Sequence, residues 1–289
     1  MARREWPLVV FTLLGQTAVG AFWLAAVPLA LKGRGAVEAG GLSVGFFIYG
    51  GIAALVGIAA VSSFLHLGRP WWAFLALNNL KNSWLSREIL GELLFMFLTA
   101  GLAFLEWMRP GCTGRSAILR GVVVVAGFCG LFFLFGMARV YMLDTVPAWR
   151  NLHTPASFLV SVLLLGSLAS AAYLSRLAGK GGGSGVPSVR FLLQVALAAA
   201  IAGLAVTALL TPRVGIFGSR VETLRAPTAG GIVPLLAARG LLLAGVGAAV
   251  LLCWNHLDAA LLWAAAAGGV AAEGIGRWLF YAVYSRIGV

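Results

Sequence analysis

The chain has 289 residues, 61% of them hydrophobic and 10% charged, with a mean hydropathy of +0.97, a balance that excludes an ordinary soluble domain. Its net charge of +12 comes from basic residues spread singly over the loops, without a dense basic stripe. That excludes nucleic acid as a partner and assigns the excess to topogenic loop charge and anionic lipid headgroups.

Apolar windows of about 20 residues, the length that crosses a bilayer core, recur along the whole chain. In chain order they predict eight helical spans at roughly 7–31, 42–66, 88–108, 117–143, 155–177, 189–210, 234–254 and 257–285. The fold class is therefore all-α, a polytopic integral membrane protein in a single membrane domain over 1–289. A barrel would need short alternating segments instead. The first window lacks a small-residue cleavage site and reads as a retained helix, not a signal peptide. Spacings such as Gly41/Gly45 and Ala53/Gly57 fit small-residue helix contacts. The stretch 179–185, GKGGGSG, lacks the order of a phosphate-binding loop and reads as a flexible connection.

Eight spans put both termini on one face, together with the longer loops 67–87, 144–154 and 211–233. The connections on the other face are short and denser in charge, so the positive-inside rule favours placing them in the cytoplasm.

The run Ser62–Glu92 gathers one His, two Arg, one Lys, two Glu and three Trp at one membrane edge. Charge beside hydrocarbon is costly and marks sites that handle ions, protons or polar ligands. His66 closes span two. Pro70 disfavours helix at Arg69, so the chain turns out of the membrane there. Glu88 opens span three, with Glu92 one turn deeper on the same face. The loop returns span three to the face where span two ended, so His66 and Glu88 lie at similar depth. An imidazole and a carboxylate beside Arg69 suit a quinone headgroup, whose hydroxyl they can hydrogen-bond and deprotonate. A plain interface fits the same residues: a His capping carbonyls, a Glu at a helix start, and Trp71, Trp72 and Trp84 as anchors. Residue chemistry alone leaves both readings open.

Elsewhere, Glu273 and Arg277 stand four apart near the middle of span eight, the spacing of an intrahelical ion pair, with a proton-relay role as the alternative. Arg139 and Asp144 mark a helix end and turn, and Glu106 reads as interfacial. His66 and His153, the latter in a loop, lie at one face, and His256 in a turn at the other. No facing mid-span pair exists to hold a haem. The three cysteines, Cys112, Cys129 and Cys253, form no CxxC pair. An iron–sulfur cluster ligated within this chain is excluded, and the cysteines read as packing residues.

Four motifs in order carry a family resemblance: EWPLVVFTLLGQ (Glu5–Gln16), FLHLGRPWWAFLALNNLKNSWLSREI (Phe64–Ile89), ARVYMLDTVPAW (Ala138–Trp149) and EGIGRWLFY (Glu273–Tyr281). The chain resembles the membrane-anchor subunit of dimethyl-sulfoxide-reductase-type enzymes, the DmsC family, and more loosely the NrfD-type quinol-interacting anchors. The resemblance implies a heterotrimer in a bacterial or archaeal cytoplasmic membrane, with a molybdopterin catalytic subunit and an iron–sulfur electron-transfer subunit as partners. It implies menaquinol from the quinone pool as substrate, without haem. The family's quinol-site His falls on His66 and its Glu on Glu88. Arg69 is a further candidate contact, with Glu92, Glu273 and Arg277 as candidate relay residues and no metal ligands. Two rival readings are a secondary transporter, which would show an inverted repeat with broken helices, and a purely structural anchor.

Overall fold

A computed structural model describes residues 6–32, 38–39, 42–65, 67, 70–144, 146, 149–178, 189–210 and 232–282. Eight helices among them are long and apolar enough to cross a membrane: α1 Trp6–Leu31, α2 Val44–Phe64, α3 Trp84–Met108, α4 Ala117–Tyr141, α5 His153–Arg176, α6 Val189–Leu209, α7 Val233–Leu252 and α8 Ala259–Ala282. The protein is an all-α, multi-pass membrane protein, as its hydropathy predicts. The only sheet among the described residues is a two-residue antiparallel pair, β1 Glu38–Ala39 and β2 Leu42–Ser43.

Three spans start on the same local chemistry. Ser43, Ser83 and Ser116 each hold an extended backbone and accept a hydrogen bond from the amide three residues on, at Phe46, Ser86 and Leu119. A serine hydroxyl at this position satisfies one of the orphan amides that open a helix. Because Ser83 caps α3, that helix begins four residues before Glu88, and Glu88 sits in its second turn. Near the end of α1, a π-helical turn at Phe22–Ala26 precedes Pro28, and the Val27 amide reaches back to the Phe22 carbonyl. Proline has no amide to continue the regular ladder, so the turn widens beside it.

Helices α2, α3 and α4 pack in sequence on one side, and α5 to α8 form a second group. Helix α1 lies between them, touching α2, α5 and α8. It and α5 are the most deeply enclosed spans. The α1–α5 crossing rests on glycine. A Cβ at Gly20 would stand 2.1 Å from the Val162 carbonyl oxygen, and one at Gly166 would stand 2.5 Å from Gly20 Cα. Without a hydrophobic drive between helices in lipid, such close backbone approach supplies the attraction through packing. Glycines also set the α3–α4 contact. A Cβ at Gly91 would meet Phe133 backbone at 3.0 Å, and one at Gly136 would meet Glu88 Cα at 2.9 Å.

The expected small-residue pairs fall elsewhere. A Cβ at Gly57 would meet nothing within 4 Å, so Ala53/Gly57 marks no tight crossing, and Gly45 lies against the Glu106 side chain. Gly41 and the glycine-rich stretch 179–185 lie outside the described residues.

Candidate functional site

Two buried carboxylates, Glu88 and Glu92, stand at the end of the bundle where α2 finishes and α3 begins. His66 and Arg69 lie outside the described residues. Around them, α2 ends at Phe64, a 3₁₀ turn covers Pro70–Asn79, and α3 starts at Trp84. The loop is tied to the first turn of α3. Arg87 donates from Nε to the Leu80 carbonyl at 2.9 Å and from Nη2 to the Lys81 carbonyl at 2.6 Å, and the Ser86 hydroxyl donates to the Ala76 carbonyl. Trp84, expected as an interfacial anchor, carries the Arg87 and Arg139 guanidiniums at 4.4 and 5.1 Å from its ring centre and meets Phe135 edge-on. Cation–π contact of this kind holds both cations at the edge of the bundle.

One turn further in, Glu88 is 3% exposed and Glu92 5%. Each has an Oε1 with no hydrogen-bond partner among the described residues. A buried polar atom without a partner is uncommon and calls for an explanation. At the ends of α8 and α4, on the Glu88 side of the bundle, Tyr281 donates its hydroxyl proton to the hydroxyl of Tyr141 at 2.7 Å. Both tyrosines are buried, and both sense Glu88 and Arg277 electrostatically. They belong to an aromatic cluster with Trp149, Phe158 and Phe280, and the Trp149 indole donates to the Phe280 carbonyl at 2.8 Å.

Deeper still, a polar network links five spans. Arg277 Nη2 donates to Gln16 Oε1 at 2.9 Å and to Ser161 Oγ at 3.1 Å, and its guanidinium lies 3.8 Å from the Phe158 ring centre. Glu273 accepts from Arg239 Nη2 at 3.0 Å and from Ser161 Oγ at 2.5 Å. Arg239 also donates from Nη1 to Thr207 Oγ1 at 2.7 Å. The spacing of Glu273 and Arg277 suggested an intrahelical pair, but Glu273 bonds instead to Arg239 on α7. Gly276 makes this possible, since its missing side chain leaves room for the Arg239 guanidinium, whose Nε would stand 2.9 Å from a Cβ there. His153, expected in a loop, is the first residue of α5 and neighbours this network.

At the opposite end of α3, near the other membrane edge, Glu106 is enclosed by the protein and only 1% exposed. It accepts from Ser43 Oγ at 2.6 Å, Gly111 N at 2.8 Å, Thr113 N at 2.9 Å and Thr113 Oγ1 at 2.5 Å. The carboxylate thus ties α2 to the turn that follows α3, a structural role. The expected turn after α4 carries an exposed Asp144–Arg150 ion pair at 2.7 Å, which in water contributes little.

The sequence singled out Glu88, Glu92, Glu273 and Arg277 but missed Gln16, Tyr141, Ser161 and Thr207 as their neighbours. Tyr141 and Tyr281 sit within motifs already noted, and Arg239 stood out only as a charge inside an apolar run.

The chain matches the family described as "DMSO reductase anchor subunit (DmsC)" over residues 1–283. It is 36% identical over 173 residues to the C subunit of anaerobic dimethyl sulfoxide reductase of Escherichia coli (strain K12), covering 59% of this protein and 58% of that one. Against the YnfH subunit of the same organism it is 35% identical over 173 residues, 59% of this protein and 57% of the relative. The corresponding C subunit of Haemophilus influenzae is 35% identical over 172 residues, 59% and 58% respectively. The matched stretch thus spans a little under three fifths of each of these relatives. The match to the family runs through all eight spans and the buried carboxylates Glu88, Glu92, Glu106 and Glu273, and the chain belongs to the DMSO reductase anchor subunit (DmsC) family.

Proposed function

We propose that this protein, acting over 1–289 as one anchor unit, is the menaquinol-oxidising membrane subunit of a molybdopterin/iron–sulfur reductase complex in a bacterial or archaeal cytoplasmic membrane. The observation that carries this reading is Glu88, a carboxylate inside the bundle whose Oε1 has no partner among the described residues. A buried acceptor without a donor suits a ligand hydroxyl, and the family supplies the ligand class. In oxidation, menaquinol gives up two protons and two electrons. Glu88 accepts one hydroxyl proton, and His66, expected across the loop, orients the headgroup and accepts the other. Arg69 stands beside His66 as a further contact. Glu92, one turn deeper with its own unpartnered Oε1, can hold a proton passed inward, and Glu273 and Arg277 bound that relay on the α8 side. The electron pair passes to a cluster in the iron–sulfur partner, which delivers it to the molybdopterin subunit. Binding of both subunits is proposed at the face that carries Glu88, since electron transfer favours a short path.

The test is a binding measurement on the assembled complex with a fluorescent quinol analogue. Glu88→Gln and His66→Ala are expected each to weaken binding about tenfold or more, the loss of one charged hydrogen bond. Unchanged affinity in both variants would sink the assignment.

A further inference from the structure

A proton taken up by Glu88 has no direct contact with water, because the side chain is enclosed between α3 and α4. The way out is marked by two hydroxyls. Tyr141 is the last residue of α4, and Tyr281 is the last but one of α8. Both stand at the membrane edge on the Glu88 side of the bundle and are bonded to each other at 2.7 Å. The two hydroxyls share this one bond, and among the described residues Glu88 Oε1 receives no donor. Glu88 and the tyrosine pair adjoin where α4 crosses α3: a Cβ at Gly136 would stand 2.9 Å from Glu88 Cα, and Tyr141 follows Gly136 by five residues on α4.

Among the described residues, the charged and titratable groups around Glu88 are few; His66 and Arg69 lie outside them. Glu92 comes from its own helix, Tyr141 from α4 and Tyr281 from α8, with Arg277 on the far side of the two tyrosines. Arg87 and Arg139 are committed to Trp84. Neither α2 nor the 3₁₀ turn Pro70–Asn79 contains a charged residue. On the inner side of Tyr281, one carboxylate, Glu273, stands against two guanidiniums, Arg239 and Arg277. That group carries a surplus positive charge, which repels a further proton in a low-dielectric interior.

We propose that Tyr141 and Tyr281 are relay residues that carry the proton from Glu88 to the water layer at the ends of α4 and α8, with Arg277 closing the inward route. This deepens the reading of Glu88 as the quinol's proton acceptor and rests on it. The step balances without redox change at the tyrosines. Protonated Glu88 donates to the Tyr141 oxygen, Tyr141 passes its own proton to Tyr281, and Tyr281 releases its proton to water. The quinol's electron pair leaves separately to the iron–sulfur partner. A hydroxyl is both donor and acceptor and its hydrogen rotates, so the 2.7 Å bond runs in either sense.

The experiment uses the purified complex with a reduced naphthoquinol, following reduction of the partner's cluster in water and in deuterium oxide. Tyr141→Phe and Tyr281→Phe keep the ring packing and remove one hydroxyl each. Each is expected to slow quinol oxidation about tenfold or more, to enlarge the solvent isotope effect, and to leave quinol-analogue affinity within about twofold of the parent. Added imidazole, a diffusible proton carrier, is expected to restore part of the rate. Parent-like rates with an unchanged isotope effect in both variants overturn the relay. So does loss of analogue binding in step with the rate, which marks a role in binding or packing. If one variant fails to assemble, the other decides. Glu88→Gln, measured alongside, separates the two readings. If it loses analogue binding while both Phe variants behave as the parent, only the relay fails; if it keeps full binding and rate, the Glu88 assignment itself fails.

Discussion

Gly136 has no room for a methyl group, because a Cβ there would stand 2.9 Å from Glu88 Cα. The obstacle is backbone and cannot swing aside, so Gly136→Ala is expected to separate α3 from α4 and tilt the Glu88 carboxyl. Overpacking of this kind costs about 1–3 kcal/mol. A lowered thermal midpoint of the purified complex together with weaker quinol-analogue binding checks it. Glycine at this position was not legible in the sequence, where 38 glycines compete and only the folded crossing shows which are tight. Glu88 and Glu92 were legible for the opposite reason. A carboxylate within an apolar run is costly wherever it faces, so the residue type alone announces a special environment. Tyr141, Tyr281 and Gln16 gave no such signal, since neutral polar side chains are ordinary in membrane helices and gain meaning only from what the fold sets beside them.

At the scale of helices, the pairing of α7 with α8 through Arg239 and Glu273 shows where local spacing rules fail. The i,i+4 rule sees only one helix, whereas the ion pair joins residues 34 apart in sequence. Breaking a buried pair leaves an uncompensated charge, at a cost of about 3–5 kcal/mol, while replacing both members is often nearly neutral. Arg239→Gln alone is therefore expected to destabilise the protein strongly, and Arg239→Gln with Glu273→Gln to recover more than half the loss. Unfolding of the purified complex in graded denaturing detergent reads this directly, and additive losses in the double variant contradict a pairwise role. The helices themselves were readable from hydropathy, because a bilayer leaves few alternatives to a long apolar helix. Their starts were less so. The caps at Ser43, Ser83 and Ser116 depend on single hydroxyls, and serine is equally common in loops.

For the whole molecule, the first and last of the three buried carboxylates on α3 lie at opposite membrane edges. Glu88 and Glu106 are separated by 18 residues, about 27 Å of helix. Just beyond Glu106, in the turn between α3 and α4, burial and then the Glu106 carboxylate push the Cys112 thiol up. Only the thiolate reacts, so maleimide labelling of Cys112 is expected to be slow at neutral pH and to quicken as pH rises through the alkaline range. In vesicles of one orientation, Cys112 and an introduced Asn82→Cys should label from opposite sides. Labelling of both from the same side contradicts the span order.

The position of α1 between the two helix groups has a consequence for how the protein is made. Gln16 on α1 finds its partner Arg277 on α8 only after 261 further residues have been synthesised, on the order of tens of seconds at ribosomal speed. Through that interval the helix at the centre of the finished bundle must wait in the bilayer with its Gln16 oxygen unpaired, its Gly20 surface being covered once α5 arrives and its amide nitrogen finding Met137 on α4. Assembly therefore proceeds around a resident first helix whose last side-chain partner arrives with the final span.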